Sequence, residues 1–196
     1  MFEKIELFEK KIAEFYGAPY AVATDCCTHA IELCLRTEYP IQVTSPYHTY
    51  LSIPMTYSKL GLDWYFTNDQ WEDYYYIGGT RIIDAAVLWK KNSYIENTLM
   101  CLSFQFKKHL NLGRGGAILC QSEAEYIKFK KMSYDGRIPN IPWEQQEIDT
   151  IGYHYYMTPE TAMLGLEKLP TAISTESKKR NWTTYPNISK MKVFNI

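Results

Sequence analysis

The sequence of 196 residues predicts a single α/β domain in which a mixed, mostly parallel sheet is flanked by helices. Two observations lead to this prediction. Short apolar segments alternate with amphipathic segments through the first half of the chain, which is typical of strand-helix units. Hydrophobic residues make up 46% and charged residues 22%, proportions that allow a sizeable core in a globular protein.

The predicted helices follow from apolar residues at helical spacing and from residues that favour helix ends. Gly17 ends the first helix, and Pro54 interrupts or kinks the third. Ser122 is a candidate N-cap of the fourth, and Pro159 occupies the first position of the fifth. The five segments are MFEKIELFEKKIAEFYG, CTHAIELCLRT, YHTYLSIPMTYSKLG, SEAEYIKFKKMSYDG and TPETAMLGLEKLPTAI.

The predicted strands are short apolar runs bounded by polar or turn residues. They are YAVAT, IQVTSP, LDWYFT, TRIIDAA, LMCLSFQF and GGAILC. The segment PNIPWEQQEID predicts a loop, and the residues after the last helix are polar and poorly patterned. We therefore assign residues 1–178 to the domain and residues 179–196 to a C-terminal tail.

The bulk composition argues against several classes of function. The net charge is −1 without a long run of one sign, which disfavours binding to nucleic acid or to a membrane surface. The N-terminus is charged throughout, unlike a signal peptide, and no apolar run reaches the roughly 18 residues of a membrane helix. The five cysteines form no CxxC and no zinc spacing, so we expect a reduced, cytoplasmic protein without a metal.

Ligands of α/β sheets gather at the carboxyl ends of strands, and three such places carry polar residues. The first is ATDCCTHAIEL, where a strand runs into a helix through small and polar residues. Backbone N–H groups and the helix dipole at such a start suit a phosphate, with Cys27, Thr28 and His29 nearest to it. The alternative is that Thr28, or Asp25 upstream, is only the helix N-cap.

The second place is RIIDAAVLW, where Asp84 follows a predicted buried strand. A carboxylate there, beside the small residues Ala85 and Ala86, faces a cleft and can hold a cationic nitrogen. The alternative is a helix N-cap or a salt bridge to a nearby lysine.

The third place is CLSFQFKKHLNLGRGGAILC, where Lys107 and Lys108 lie between an apolar run and a glycine cluster. A lysine held there can be a nucleophilic amine, because burial and neighbouring positive charge lower the pKa of a lysine. The alternative is a solvated turn between two strands. A phosphate site, an acid for a pyridine nitrogen and an amine for an aldehyde together predict pyridoxal 5'-phosphate (PLP) as the cofactor.

The segment SFQFKKHLNLGRGG resembles the lysine motif of the DegT/DnrJ/EryC1/StrS family of fold-type I PLP-dependent sugar aminotransferases. In that family, Ser-Phe and three further residues precede the lysine that binds the cofactor, and Gly-x-Gly-Gly follows after four residues. Counting from Ser103 puts Lys108, and not Lys107, in register. The resemblance implies the fold of the family's large domain, with the small domain largely absent and residues 179–196 as its remnant.

Other segments resemble further blocks of this family and imply roles for their residues. VTSPYHTYLS implies that Tyr50 stacks on the pyridine ring, and IIDAA implies that Asp84 pairs with the pyridine nitrogen. The phosphate would be held by Thr28 and Ser103, together with the turn that includes Cys27.

The segment GYHYYMTPETAMLGLEKL resembles a block whose asparagine reaches the cofactor of a second subunit. His154 stands in place of that asparagine, and Tyr156 stands in place of an arginine. The resemblance implies a homodimer in which each site is completed by the neighbouring subunit. Other departures are Val87 in place of glutamine or histidine, Cys27 in place of glycine, and a length roughly half that of most members.

The resemblance implies transfer of an amino group from an amino acid, with glutamate as the expected donor, to a nucleotide-linked keto sugar. One alternative is other PLP chemistry, such as dehydration or amination of a different nucleotide-like acceptor. Another is a degenerate, non-catalytic binding subunit. The shortened chain favours this last alternative, and retention of Ser103, Asp84 and Lys108 argues against it.

Overall fold

The structure is a computed structural model that describes residues 2–194. The helices are α1 (Glu3–Tyr16), α2 (Cys27–Glu38), α3 (Ser52–Lys59), α4 (Glu123–Ser133) and α5 (Pro159–Ser174). The strands are β1 (Tyr20–Thr24), β2 (Gln42–Pro46), β3 (Asp63–Thr67), β4 (Tyr75–Tyr76), β5 (Ile82–Asp84), β6 (Leu99–Ser103) and β7 (Gly116–Cys120). Each predicted helix and strand is present. The two-residue strand β4 and a 3-10 turn at Trp143–Gln145 were not predicted.

The main sheet has the strand order β1-β7-β6-β5-β4, and β2 pairs with β3 separately. The sheet is mixed and flanked by helices, as predicted. In contrast to the expected mostly parallel sheet, parallel pairs are the minority: β5–β6 and β2–β3 are parallel, whereas β1–β7, β6–β7 and β4–β5 are antiparallel. The β4–β5 connection is too short for the long crossover that parallel neighbours need, whereas residues 85–98 provide such a crossover between β5 and β6.

The helix starts follow their sequence signals. Ser122 accepts a hydrogen bond from the Glu125 N–H, and the Glu125 carboxylate accepts one from the Ser122 N–H, which completes a capping box before α4. Thr158 caps α5. Helix α3 begins only at Ser52, so Pro54 lies in the first turn, where its missing N–H breaks no helical hydrogen bond. Within residues 2–194, no helix combines the length and the apolar character that crossing a membrane requires.

Apolar side chains cover both faces of the sheet. Ala117 and Leu119 of β7 join the core that α1 and α5 cover, whereas Ile118 and Cys120 join the core that α2 and α4 cover. Successive residues of a strand point to opposite faces, so a strand buried on both sides needs a continuous apolar run. This requirement explains the segment AILC.

The residues after α5 are docked on the domain. The Asp73 N–H donates to the Arg180 carbonyl at 2.7 Å, and the Trp182 N–H donates to the Trp71 carbonyl at 3.0 Å. The segment therefore lies along residues 71–73 like a short added strand. The assignment of residues 179–196 to a separate C-terminal tail stays a prediction. Residues 1, 195 and 196 belong to predicted segments but lie outside the described residues.

Candidate active site

The carboxyl ends of β5 and β6 and the start of α2 contribute to one cavity of about 780 Å³. This volume lies in the usual range of small-molecule sites. Most of the residues singled out from the sequence line the cavity, namely Cys27, Thr28, Tyr50, Asp84, Ser103 and Lys108.

Asp84 ends strand β5 and is 6% exposed. Its Oδ2 accepts a hydrogen bond from the Tyr75 phenol at 2.6 Å, and its Oδ1 accepts one from the Ala86 N–H at 3.0 Å. The Tyr75 oxygen in turn contacts the Thr49 hydroxyl. The Asp84 carboxylate is therefore a buried cavity group that caps no α-helix of residues 2–194.

The surroundings of Asp84 suit a cationic partner. Burial raises the pKa of Asp84, while the hydrogen bonds from Tyr75 and Ala86 and the charge on Lys108 act in the opposite direction. A positive charge placed against the carboxylate would favour its ionised form further. The site is therefore suited to a protonated ring nitrogen.

Lys108 lies on the connection between β6 and β7, and its Nζ donates to the Tyr185 hydroxyl at 3.4 Å. Burial lowers the pKa of the Lys108 amine; Arg180 adds to this effect, and Asp84 opposes it. A lower pKa leaves more of the amine neutral, and a neutral amine is a nucleophile.

Lys107 has a different environment from its neighbour. It is exposed, and its Nζ lies 5.6 Å from the ring centroid of Phe106, which is itself 58% exposed. Both lysines line the cavity, but the solvated-turn alternative applies to the exposed Lys107, whereas Lys108 is half-buried.

The start of α2 offers an anion site. Cys26 is the N-cap residue but supplies no side-chain cap, so the first backbone N–H groups stay available at the positive end of the helix dipole. The N-cap alternative is not supported. The Thr28 hydroxyl pairs with the Ser52 hydroxyl at 2.8 Å, and Asp25 pairs with Nδ1 of His29 at 2.6 Å.

Gly116 allows β7 to approach this helix start. A Cβ atom on Gly116 would lie 2.5 Å from the carbonyl carbon of Cys26 and 2.5 Å from the nitrogen of Cys27. Real side chains do not tolerate such distances to backbone atoms. The last glycine of the GRGG segment therefore shapes the anion site as well as the loop.

Asp25 neighbours the anion site but is already engaged. Besides its contact with His29, its Oδ2 accepts a hydrogen bond from Nη2 of Arg114 at 2.6 Å. Ligand atoms of Asp25, Cys26 and His29 lie within 4.8 Å of one another. A metal ion there would compete with Arg114 for the same carboxylate, so these residues fit an ion-pair network better than a metal site.

The sequence profile of the DegT/DnrJ/EryC1/StrS aminotransferase family matches residues 1–75 and 91–188. The chain belongs to this family. Membership confirms the family predicted from the motif around Lys108, and with it PLP as the cofactor that the family uses. The matched ranges leave out residues 76–90, so the role of Asp84 depends on its geometry. No curated protein matches this family member in sequence.

Solved structures share the fold of this family member at low sequence identity. Spr1654 from Streptococcus pneumoniae, in its PLP form, is 18% identical with a TM-score of 0.72, over 87% of this chain and 60% of that one. The sugar aminotransferase CalS13 from Micromonospora echinospora is 13% identical with a TM-score of 0.72, over 87% and 61%. PseC from Helicobacter pylori, an aminotransferase involved in pseudoaminic acid biosynthesis, is 14% identical with a TM-score of 0.68, over 86% and 58%. The chain spans about 60% of the length of Spr1654.

The cavity of this family member fits PLP in its chemistry. A buried carboxylate suits the ring nitrogen, uncapped N–H groups suit the phosphate, and a half-buried amine suits the aldehyde. Ser103, at the end of β6, accepts only a long 3.5 Å hydrogen bond from the Gln105 N–H, which leaves its hydroxyl available. Burial raises the pKa of the Cys27 thiol, so this residue offers its backbone N–H rather than a thiolate.

Two predicted cofactor residues lie further out. Tyr50 is at the cavity rim and is 56% exposed, and its stacking on the ring stays a prediction. His154 is not among the cavity residues. Its side chain is 70% exposed and its Nδ1 lies 3.0 Å from Oδ2 of Asp135, so its predicted contact with a second subunit's cofactor also stays a prediction.

The residues that line the cavity and were missed from the sequence include Tyr75, Arg180 and Tyr185. Tyr75 lies on a strand too short to show an alternating pattern. Arg180 and Tyr185 follow α5, where no periodicity exists. The one available hint is the mixture of cationic and aromatic residues in KKRNWTTY, since such mixtures are enriched at binding surfaces.

Proposed function

We propose that the chain is a PLP-dependent aminotransferase that moves an amino group from an amino acid to a nucleotide-linked keto sugar. The observation that carries this proposal is the convergence of Lys108, Asp84 and the uncapped start of α2 on one cavity. Membership in an aminotransferase family supports the reaction class.

When bound, PLP supplies an aldehyde that reacts with amines and a pyridine ring that withdraws electrons. Asp84 would keep the ring nitrogen protonated, because its carboxylate is buried in the cavity lining. Thr28, Ser103 and the first N–H groups of α2 would bind the phosphate, and Tyr50 would stack on the ring.

Lys108 would hold the cofactor covalently before the substrate arrives. Nζ of Lys108 would also move the proton at Cα of the amino acid. The lowered pKa of Lys108 supports this role, since a general base must be neutral before it takes the proton.

Glutamate is the amino donor that we propose, and a keto sugar carried on a nucleotide is the acceptor. The sugar aminotransferase CalS13 shares the fold, and a cavity of about 780 Å³ leaves room beside the cofactor for a substrate. We also infer a cytoplasmic homodimer. The exposed Tyr50 at the rim and the exposed His154 support a site that a second subunit completes.

One observation favours a second candidate function. His154 and Tyr156 stand where the resembled family motif has asparagine and arginine, and a non-catalytic binding subunit of PLP fold would tolerate such replacements. Other PLP chemistry on a nucleotide-like acceptor would use the same cofactor residues. Trapping of the cofactor followed by a donor assay separates these functions.

The decisive experiment records the visible spectrum of the protein with added PLP, then reduces it with borohydride and maps the modified peptide by mass spectrometry. We expect an adduct on Lys108 that Lys107→Ala retains and Lys108→Ala loses. Amino acids should then convert bound PLP into its amine form and release the corresponding keto acid. An adduct on Lys107 contradicts the spacing from Ser103 that selects Lys108. An adduct on Lys108 without amine transfer favours other PLP chemistry or the binding subunit.

A further inference from the structure

A smaller chamber of about 210 Å³ adjoins the cofactor cavity. Ser103, Lys107, Lys108 and Arg180 line both spaces. The further charged or titratable residues of the chamber are His109, Glu176 and Lys178. Basic side chains therefore outnumber the single acidic one, and the chamber is suited to an anion.

Backbone contacts hold Arg180 in place. The Arg180 N–H donates to Oδ1 of Asp73 at 3.3 Å, and the Asp73 N–H donates to the Arg180 carbonyl at 2.7 Å. This reciprocal pair anchors the residue to the segment before β4. The side chain is therefore directed into the chamber from a fixed point of the backbone.

The guanidinium of Arg180 is not neutralised by an acid. Its Nη2 donates to the backbone carbonyl of Lys107 at 2.9 Å, and in the part of the chain that the structure describes it forms no salt bridge. Arg114, also in the cavity, differs because Asp25 already pairs with it. Arg180 thus keeps donors for a carboxylate, which a guanidinium can bind through two parallel hydrogen bonds.

The charge of Arg180 acts on the reacting amine, since it contributes to the lowered pKa of Lys108. The α-carboxylate of an amino acid is bonded to the carbon whose proton Lys108 would move. It must therefore lie beside Lys108 during the reaction. Among the described cavity residues, Arg180 is the half-buried, unneutralised arginine in that place.

We propose that Arg180 binds the α-carboxylate of the amino donor in the chamber beside Lys108. This inference rests on the proposed function, because it assigns the donor subsite of the same active site. It gives the residues after α5 a role in substrate selection: amino acids are accepted, and amines without a carboxylate are not. Arg180 contacts the donor, and Asp73 acts as a positioning residue.

The test titrates glutarate, a dicarboxylate without an amine, into the PLP-loaded protein by calorimetry, so that no turnover is required. Arg180→Gln should weaken glutarate binding roughly 10- to 100-fold, the effect of one charge-assisted pair. Arg180→Lys, which keeps the charge but loses the planar fork, should give a smaller loss. Lys179→Gln is the matched control, since that neighbouring cation is 83% exposed and should leave binding unchanged.

The outcomes separate this inference from the proposed function. Equal glutarate affinity in wild type and Arg180→Gln, or no glutarate binding in the wild type, overturns the role of Arg180. Arg180-dependent binding without any amine transfer from glutamate retains the carboxylate site and overturns the aminotransferase reaction. If Arg180→Gln does not fold, as judged by its thermal melt, the glutarate affinity of Arg180→Lys is compared with that of wild type. Equal affinities then overturn the role of Arg180.

Discussion

The phenol of Tyr75 donates a 2.6 Å hydrogen bond to Oδ2 of Asp84, and both residues are buried, with 8% and 6% exposure. A buried carboxylate is costly unless it is paired or hydrogen-bonded. The phenol compensates part of that cost and orients the carboxylate in the cavity. Tyr75 is therefore a positioning residue for the acid that we propose to face the cofactor nitrogen.

Replacing Tyr75 with Phe should weaken PLP binding roughly 10-fold, since hydrogen bonds to charged groups contribute about 1.5–3 kcal/mol. Without the phenol, the ionised form of Asp84 loses a donor and the ring nitrogen loses part of its counter-charge. Absorbance titration with PLP measures the affinity. Tyr76→Phe is the control, because the neighbouring Tyr76 is 46% exposed and outside the cavity. Equal losses in both variants would contradict the role of Tyr75.

Replacing Gly116 with Ala should displace β7 from the start of α2 and reduce both stability and PLP affinity. The new Cβ would stand 2.5 Å from backbone atoms of Cys26 and Cys27, which cannot turn away as a side chain can. Gly61→Ala is the control, because Gly61 has a φ of +67° but a Cβ added there would have no atom within 4 Å. The left-handed backbone should cost about 1 kcal/mol of stability, and PLP affinity should not change. Full PLP affinity in Gly116→Ala would show that the close approach is not required.

His29 should make the stability of the protein depend on pH. Burial alone would lower the pKa of His29, but the hydrogen bond to Asp25 outweighs it, with help from Cys26, and the pKa rises to about 9 from its ordinary 6.5. Since the pKa is higher in the folded state, the stabilisation is complete below pH 6.5 and is lost as the pH rises through about 9.

The measurement is urea unfolding of wild type and His29→Gln at about pH 6 and about pH 10. The free energy of unfolding should be higher for wild type than for His29→Gln, and this difference should be larger at the lower pH than at the higher pH. In an Asp25→Asn background the same comparison should lose most of its pH dependence, because the partner of His29 is no longer charged. A difference that is the same at both pH values would be inconsistent with the raised pKa.

Lys130 should matter more to stability than its neighbour Lys131. Glu9 is 3% exposed, and both of its oxygens lie 3.0 Å from Nζ of Lys130. Lys130→Met would leave a buried carboxylate unpaired, which costs about 3–5 kcal/mol. Lys131→Met is the matched control, since Lys131 pairs with the exposed Asp149 and its loss should be much smaller. Similar unfolding midpoints for the two variants would contradict this ranking.

Local signals in the sequence predicted the helices and strands well. Capping at Ser122 and Thr158 depends on neighbouring residues, and burial of β7 on both faces depends on a continuous apolar run. Such patterns act over a few residues, so they are legible in the sequence. The choice of Lys108 over Lys107 also rests on spacing within one segment, and it stays a prediction.

The sequence by itself therefore determined the order of the elements, the family and the candidate groups for the cofactor. Only the tertiary structure decided which of these groups share a cavity, and that His154 lies outside it. It also brought Tyr75 to Asp84 and placed Arg180 in the same chamber as Lys108. The physical reason is that these contacts depend on strand order and on the docking of the residues after α5, which are set by packing between segments distant in the chain and leave no local pattern.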